Sequence, residues 1–250
     1  MNGMESPGRG PATDMVAQFR KLIANRSFDI VHEFNTDWYN AVKAAHLCPL
    51  PPNKFALLVG NSKALWPRFL EFYRENASKG FEHPFDTFVE RSFQSILEEA
   101  DEDGEDVSRL VRLYFSHHFE PERLVSFQKV AHVSGAATLD ETLHLCVHER
   151  FGPWFSLRAI VVFLQDDIKP PLTAPRPPAI PLDPAELQQA KAYLEKGLEA
   201  RRNGGSEAWK DFIEVRGSVS YGREHRYDTP QLLYHYTKSK DVLHRAISGT

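Results

Sequence analysis

The spacing of hydrophobic residues changes repeatedly along the chain between a helical period and a strand period. Residues 14–25 show helical spacing, with Phe19 and Ile23 on one face, and Asp14 is a suitable N-cap. Residues 159–163, AIVVF, form a continuous apolar run that is typical of a strand buried on both faces. Further helices are predicted to be capped by Thr36 or Asp37, by Ser62 and by Ser206. Others are predicted to begin at Pro84, at Glu122 (ending at Ala137) and at Asp183-Pro184 (ending near Asn203). Further strands are predicted over residues 28–34, 55–59 and 110–115.

Strands and helices are therefore mixed, without a repeat of fixed period and without a glycine-rich phosphate loop. This mixture predicts an α/β or α+β sandwich with one main domain. The predicted division is a disordered tail at 1–13, an α+β core at 14–168, a proline-rich connector at 169–184 and a helical segment at 185–250 packed on the core.

Composition narrows the class of protein. Hydrophobic residues make up 42% and charged residues 26%, as in globular proteins, and the net charge of −4 gives no reason to expect nucleic-acid binding. Two cysteines exclude a disulfide framework, and neither a signal segment nor a membrane-spanning run is recognisable. We therefore expect a cytoplasmic protein. The acidic run at 101–106 is interpreted as a solvated loop, since it lacks the pattern of a calcium-binding loop.

Three side chains in the second half could carry metal chemistry. His144, Cys146 and His148 alternate along a predicted strand, so they would project from one face. Imidazole and thiolate are ligands of zinc and copper, but a structural site needs a fourth ligand. The nearest candidates, His117 and His118, follow a different predicted strand. A cysteine between leucine and valine is also typical of a small buried hydrophobic residue, and no metal site is predicted.

Two other features have both a packing and a binding interpretation. The small residues at 134–137, next to His132, would allow close packing of a helix on a sheet, or would leave room for a wide, flat ligand. Arg158 is flanked by apolar residues, and a buried arginine requires an anionic partner. That partner is either a carboxylate of the protein or the carboxylate of a ligand held by a bidentate contact.

Several short segments occur in a fixed order along the chain: DWYN at 37–40, LP at 50–51, FALLV at 55–59, AHVSGAA at 131–137, CVHERFGPWFSLR at 146–158 and WKD at 209–211. Together they resemble the cblC-type cobalamin-processing proteins, the cyanocobalamin reductase and alkylcobalamin dealkylase family. The likeness runs with gaps from about Phe28 to Arg245 and is densest between Val125 and Phe163. The resemblance implies a nitroreductase-like α+β sandwich, with a largely antiparallel sheet flanked by helices.

The resemblance also implies site residues. Arg158 would be catalytic and would bind glutathione together with Arg216 and Arg245, matched by their positions after the WKD segment. One departure concerns residues 138–141, where aromatic residues and a longer loop would be expected, which implies a more open upper face. The implied cobalamin contacts are Tyr114, Val125, Ser126, Phe127, Gln128, His132, Gly135, Leu139, Cys146 and Leu157.

The implied function is intracellular cobalamin processing. Cobalamin would be bound with its benzimidazole base displaced, the glutathione thiolate would dealkylate alkylcobalamins, and a reduced flavin, FMN or FAD, would support removal of cyanide. The more open site adds glutathione oxidation by oxygen as a side activity. Expected partners are a cblD-type adaptor and downstream cobalamin-dependent enzymes. The alternatives are a non-catalytic cobalamin escort and a nitroreductase relative that binds only flavin.

Overall fold

The computed structural model describes residues 11–101 and 106–248, with no side-chain description for residues 11–14. Residues 1–10 of the predicted tail and residues 102–105 of the acidic loop therefore lie outside the described residues. The α-helices are α1 Pro11–Asn25, α2 Thr36–Val42, α3 Trp66–Asn76, α4 Pro84–Ala100, α5 Phe127–Val133, α6 Pro184–Arg202, α7 Ala208–Gly217, α8 Thr229–Thr237 and α9 Lys240–Ser248. The strands are β1 Ile30–Asn35, β2 Phe55–Asn61, β3 Val111–Phe115, β4 Thr138–Asp140, β5 Leu145–Val147 and β6 Ser156–Phe163.

Side-chain caps explain where several helices begin. Asp183 caps α6 by accepting a hydrogen bond from the Ala185 backbone N–H at 2.8 Å, and this helix begins at Pro184, as predicted. The predicted cap of α2 was wrong, because Asn35 precedes the helix and accepts from the Asp37 N–H. The predicted Ser206 cap was also wrong, since α7 begins later and has no side-chain cap.

The helix predicted over residues 122–137 is much shorter. Ser126 caps α5 by accepting a hydrogen bond from the Lys129 backbone N–H, so that the residues before it stay outside the helix. The helix ends before Gly135, whose φ of 72° is left-handed. The α1 helix, in contrast, begins at Pro11, within the segment predicted as a tail.

Four strands form one antiparallel sheet in the order β1-β2-β6-β3. The two central strands are buried along almost their whole length, as the apolar run at 159–163 predicted. The register of β2 against β6 shifts between Val59 and Gly60. A Cβ at Gly60 would lie 2.7 Å from the carbonyl oxygen of Ser156, so glycine is required where the strands come closest.

Alternate residues of the central strands supply two separate hydrophobic cores. Leu57 and Val161 face the core formed with α1, α3, α4 and α9. Leu58 and Ile160 face the opposite core, which is closed by α2 and α5. The sheet therefore lies between two helical layers, and the predicted α+β architecture with a flanked antiparallel sheet is confirmed.

A small second sheet joins the core to the C-terminal helices. Strands β4 and β5 pair antiparallel, and a third hydrophobic cluster packs them against α6 and α7. The strand alternation predicted for residues 144–148 was wrong, because β5 contains only Leu145–Val147 and His144 has a φ of 49°. A left-handed residue turns the backbone out of the strand, so His144 does not continue the face of Cys146.

The connector does not form a helix or a strand, and it packs on the small residues next to α5. A Cβ on Gly135 would lie 2.8 Å from the Cγ atom of Pro175, so the proline ring occupies the space beside this glycine. Thr138 donates a side-chain hydrogen bond to the carbonyl oxygen of Pro178. The small residues thus accommodate the connector rather than an open surface for a flat ligand. Among the described helices, none is both long and apolar enough to cross a membrane.

Gly152 and Gly222 pack back to back where the C-terminal segment contacts the bend before β6. Gly152 has a φ of 55°, and a Cβ there would overlap the carbonyl oxygen of Tyr221. We expect Gly152→Ala to lower the free energy of unfolding by about 3 kcal/mol or more, as measured by urea denaturation.

Gly204 provides the matched control, since its φ is 74° and a Cβ there would have no neighbour within 4 Å. Gly204→Ala should cost only about 1 kcal/mol, from backbone strain alone. Equal losses in the two variants would show that the contact between Gly152 and Tyr221 does not hold the C-terminal segment.

Candidate functional site

A cavity of about 470 Å³ lies at the end of the sheet where β6 begins and β3 ends. Its walls come from α5, β5, the start of β6 and the C-terminal helices α6, α7 and α8. Its volume is in the range of small-molecule sites. The lining residues are Ser116, Phe127, Gln128, Leu143, His144, Leu145, Cys146, Phe155, Ser156, Leu157, Arg158, Leu194, Phe212, Val215, Arg216, His235 and Tyr236.

Arg158 is held in the wall by neutral groups. Its Nε donates a hydrogen bond to Asn61 Oδ1 at 2.7 Å, and its guanidinium lies 4.3 Å from the centre of the Phe85 ring. Burial lowers the pKa of Arg158, but an arginine stays charged near neutral pH. Arg158 also borders a second cavity of about 630 Å³, so its side chain lies between the two cavities.

Arg216 provides a second cation on the first cavity. Its Nη2 donates to the carbonyl oxygen of Phe155 at 3.3 Å, while its Nη1 is buried and has no hydrogen-bond partner among the described residues. Within residues 11–101 and 106–248, neither Arg216 nor Arg158 forms an ion pair with a carboxylate. Because an unpaired buried charge is costly, the cavity is suited to an anionic ligand.

The titratable groups beside these arginines are held neutral. Burial raises the pKa of the Cys146 thiol to about 12, although Arg216 acts in the opposite direction. Burial, assisted by Arg216, lowers the pKa of His235 well below its usual value. At neutral pH, therefore, the two arginines supply positive charge to the cavity, whereas Cys146 is a thiol and His235 an uncharged imidazole.

Six of the residues implied by the resemblance meet in this cavity: Phe127, Gln128, Cys146, Leu157, Arg158 and Arg216. Tyr114 and Val125 lie behind the cavity wall, in the same hydrophobic cluster as Phe127 and Cys146, and Leu139 packs against that cluster. Ser126 serves as the cap of α5.

Three other implied residues lie elsewhere. His132 accepts a hydrogen bond through Nδ1 from the Leu139 backbone N–H at 3.2 Å, and it does not line the cavity. Gly135 is covered by Pro175 of the connector. Arg245 is exposed on α9 and also does not line the cavity.

His148 belongs to a tight turn rather than to a metal cluster. Its Nδ1 accepts hydrogen bonds from the backbone N–H groups of Arg150, at 2.9 Å, and Phe151, at 3.4 Å. Its ring packs edge-on against His32, with centroids 5.9 Å apart. His148 therefore contributes to the bend that leads into β6, and it does not converge with Cys146.

The sequence analysis missed the contribution of α8. His235 and Tyr236 line the cavity, and Ser156 shares a hydrogen bond of 3.0 Å with Tyr227, just before this helix. The sequence predicts a helical segment at 185–250, but no site residue between Arg216 and Arg245. Its concentration of tyrosine and histidine in residues 227–236, YDTPQLLYHY, was the available signal.

Comparisons with known proteins agree with this architecture. Residues 28–243 match the model of the methylmalonic aciduria and homocystinuria type C family. A protein of C. elegans, described as the B12-trafficking protein CblC and a homologue of human MMACHC, has the same fold. Its crystal structure gives a TM-score of 0.67 at 16% identity, over 93% of this chain and 97% of that one. The nitroreductase-like fold predicted from the resemblance is thereby confirmed.

Two curated relatives carry the name cyanocobalamin reductase / alkylcobalamin dealkylase. The Homo sapiens protein is 28% identical over 226 residues, which cover 83% of this chain and 72% of the relative. The Danio rerio protein is 28% identical over 167 residues, 60% of this chain. That match spans 64% of the length of the Danio rerio relative.

The His148 turn makes stability depend on pH. Burial, reinforced by His32, lowers the pKa of His148 to about 4 from 6.5, so the unfolded chain binds the proton first. The contribution of neutral His148 to the free energy of unfolding is fully present above pH 6.5 and is lost as the pH falls towards 4. The loss is about 2 kcal/mol once partial solvent screening is allowed for. Urea unfolding at successive pH values in this window measures the loss.

The control is His148→Asn, because the Asn side-chain oxygen can accept from the backbone N–H two residues ahead and does not titrate. The variant should show a shallower fall in stability over the same window. Parallel pH profiles for the two proteins would contradict the assignment to His148.

Proposed function

Because this chain belongs to the methylmalonic aciduria and homocystinuria type C family, we propose that it binds cobalamin and removes its upper axial ligand with glutathione. The observation that carries the proposal is the pair of arginines, Arg158 and Arg216, which face one cavity without carboxylate partners in the described part of the chain. Glutathione has two carboxylates and a thiol, so its charge complements these two cations.

Cobalamin would contact the apolar wall of the cavity. Phe127 and Leu157 offer hydrophobic surface, and the side-chain amide of Gln128 donates a hydrogen bond to the carbonyl oxygen of His144 at 2.6 Å. Cobalamin is larger than an ordinary drug-sized ligand, so a cavity of about 470 Å³ encloses only part of it.

The proposed reaction transfers an alkyl group from cobalt to sulfur. The glutathione thiol loses its proton to solvent, and the thiolate forms a bond to the carbon attached to cobalt(III). The carbon–cobalt bond breaks with its electron pair on the metal, giving a thioether and cobalt(I). Arg158 and Arg216 would orient glutathione by its carboxylates and favour the thiolate by their positive charge.

Cys146 is unsuited to the role of nucleophile in this reaction. Its thiol is buried among hydrophobic residues, and its pKa of about 12 keeps it protonated near neutral pH. Only a thiolate attacks carbon efficiently. The nucleophile must therefore come from an external thiol, and Cys146 serves as a small apolar part of the wall.

Reductive removal of cyanide with a flavin, and oxidation of glutathione by oxygen, remain expectations from the resemblance. No contact among the described residues bears on either activity. A non-catalytic cobalamin escort is the other outcome that the following experiment distinguishes.

The first test uses methylcobalamin in the dark, followed by glutathione, with the visible spectrum recorded at each step. We expect a shift to the displaced-base spectrum and then loss of the methyl-cobalt band. Arg216→Gln should leave the first step intact and slow the second about tenfold to a hundredfold at low glutathione, because one charge-assisted contact is lost.

Arg245→Gln is the control, because Arg245 is exposed on α9 outside the cavity lining, and its rate should equal that of the parent protein. A spectral shift without later loss of the band would support the escort. Absence of any shift would refute cobalamin binding. Equal slowing by Arg245→Gln would place the glutathione site elsewhere.

A second test concerns the thiol of the cavity. Cys146→Ser should retain dealkylation with glutathione to within about tenfold, because the residue packs rather than reacts. The rate of methyl-cobalt loss is the measurement, with circular dichroism as the check of folding. Loss of activity in a folded Cys146→Ser protein would show that the external thiol is not the sole nucleophile.

A further inference from the structure

A cluster of metal-ligating side chains lies outside the first cavity, the one that contains Cys146 and Arg216. Glu90, on α4, faces His117 and His118, which follow β3 directly. The Nε2 atom of His117 lies 2.9 Å from Glu90 Oε1, and the Nε2 atom of His118 lies 3.5 Å from the same oxygen. Each of the three residues has one potential ligand atom, and these three atoms all lie within 4.8 Å of one another.

The orientation of His117 is fixed from two sides. Its Nδ1 lies 3.7 Å from Asp86 Oδ1, one helical turn before Glu90, and its ring stacks on Phe115 with an interplanar angle of 15°. A carboxylate next to Nδ1 directs the other nitrogen, Nε2, towards a ligand position. Metal-binding histidines usually donate a hydrogen bond to such a carboxylate, and a shift of a few tenths of an ångström would bring Asp86 within hydrogen-bonding distance.

We propose that Glu90, His117 and His118 bind a divalent zinc ion. Two imidazoles and one carboxylate are a common ligand set for zinc, whereas magnesium and calcium prefer oxygen ligands. Ligand atoms around a tetrahedral zinc ion are about 3.4 Å apart, given bonds of about 2.1 Å. The two distances from Glu90 Oε1 to the histidine nitrogens lie on either side of this value.

The surroundings allow the small movements that binding requires. The side chains of His117 and His118 are 19% and 13% exposed, while that of Glu90 is 47% exposed and free to adjust. His118 Nδ1 also lies 3.4 Å from a guanidinium nitrogen of Arg123. Since a neutral imidazole that binds zinc through Nε2 carries a proton on Nδ1, this contact must be released, and Arg123 is exposed enough to move away.

The ion would have an open coordination position. Glu90 and His117 line the second cavity, which is also bordered by Arg158 and Lys238. Three protein ligands with a fourth position for water or a ligand are typical of zinc sites that interact with substrates. The inference goes beyond the proposed function and does not depend on it.

Zinc binding is measured on the untagged full chain after treatment with a chelator and dialysis. Isothermal titration calorimetry with zinc chloride gives the stoichiometry and the dissociation constant. We expect one ion per chain, and a dissociation constant that rises by about a hundredfold or more in Glu90→Gln and in His118→Gln, because a ligand is lost.

Glu98→Gln is the matched control, since Glu98 is an exposed carboxylate on the same helix that accepts a hydrogen bond from Gln94. It should bind zinc like the parent protein, and circular dichroism checks that each variant is folded. Absence of zinc binding by the parent protein would overturn the proposal. So would equal binding by folded Glu90→Gln and His118→Gln, because the ion would then lie elsewhere.

Discussion

The antiparallel pairing of β2 with β6 is the constraint on which the other elements depend. Both strands carry apolar residues on both faces, so helices must cover each face to bury these residues away from water. Alternation along the strands divides the interior into two cores, one closed by α1, α3, α4 and α9 and the other by α2 and α5. The close approach at Gly60 sets the register that brings the start of β6 to the cavity.

The candidate site follows from the way this sheet ends. The hydrophobic strand β6 begins with Ser156, Leu157 and Arg158. The guanidinium group of Arg158 is therefore located at the cavity, where the covering helices separate. Arg158 is then held by an amide and an aromatic ring, and Arg216 approaches from α7 with one nitrogen unpaired. Positive charge without a protein carboxylate is unfavourable for folding alone. A ligand with carboxylates would compensate this cost, which links the local instability to the proposed binding of glutathione.

Arg158 also connects the two cavities and, through the second one, the Glu90, His117 and His118 cluster. A group bound in either cavity therefore affects the electrostatic environment of the other. The connector acts at a different place, on the small residues after α5, where Pro175 fills the space beside Gly135. Its packing explains why His132 and Gly135, although prominent in the sequence, lie away from the cavity.

Local spacing and ordered motifs were sufficient to predict the mixed helix and strand order, the buried run at 159–163, the start of α6 at Pro184 and the family resemblance. The resemblance also predicted site residues, and six of them meet in one cavity: Phe127, Gln128, Cys146, Leu157, Arg158 and Arg216. The packing of the elements was needed to show that His148 forms a turn, that Arg245 lies outside the cavity and that α8 contributes His235 and Tyr236. The same packing brings Glu90 next to His117 and His118, although His117 follows Glu90 by 27 residues in the sequence. Contacts between residues far apart in the chain arise from the packing of whole elements, and no local pattern of the sequence records that packing.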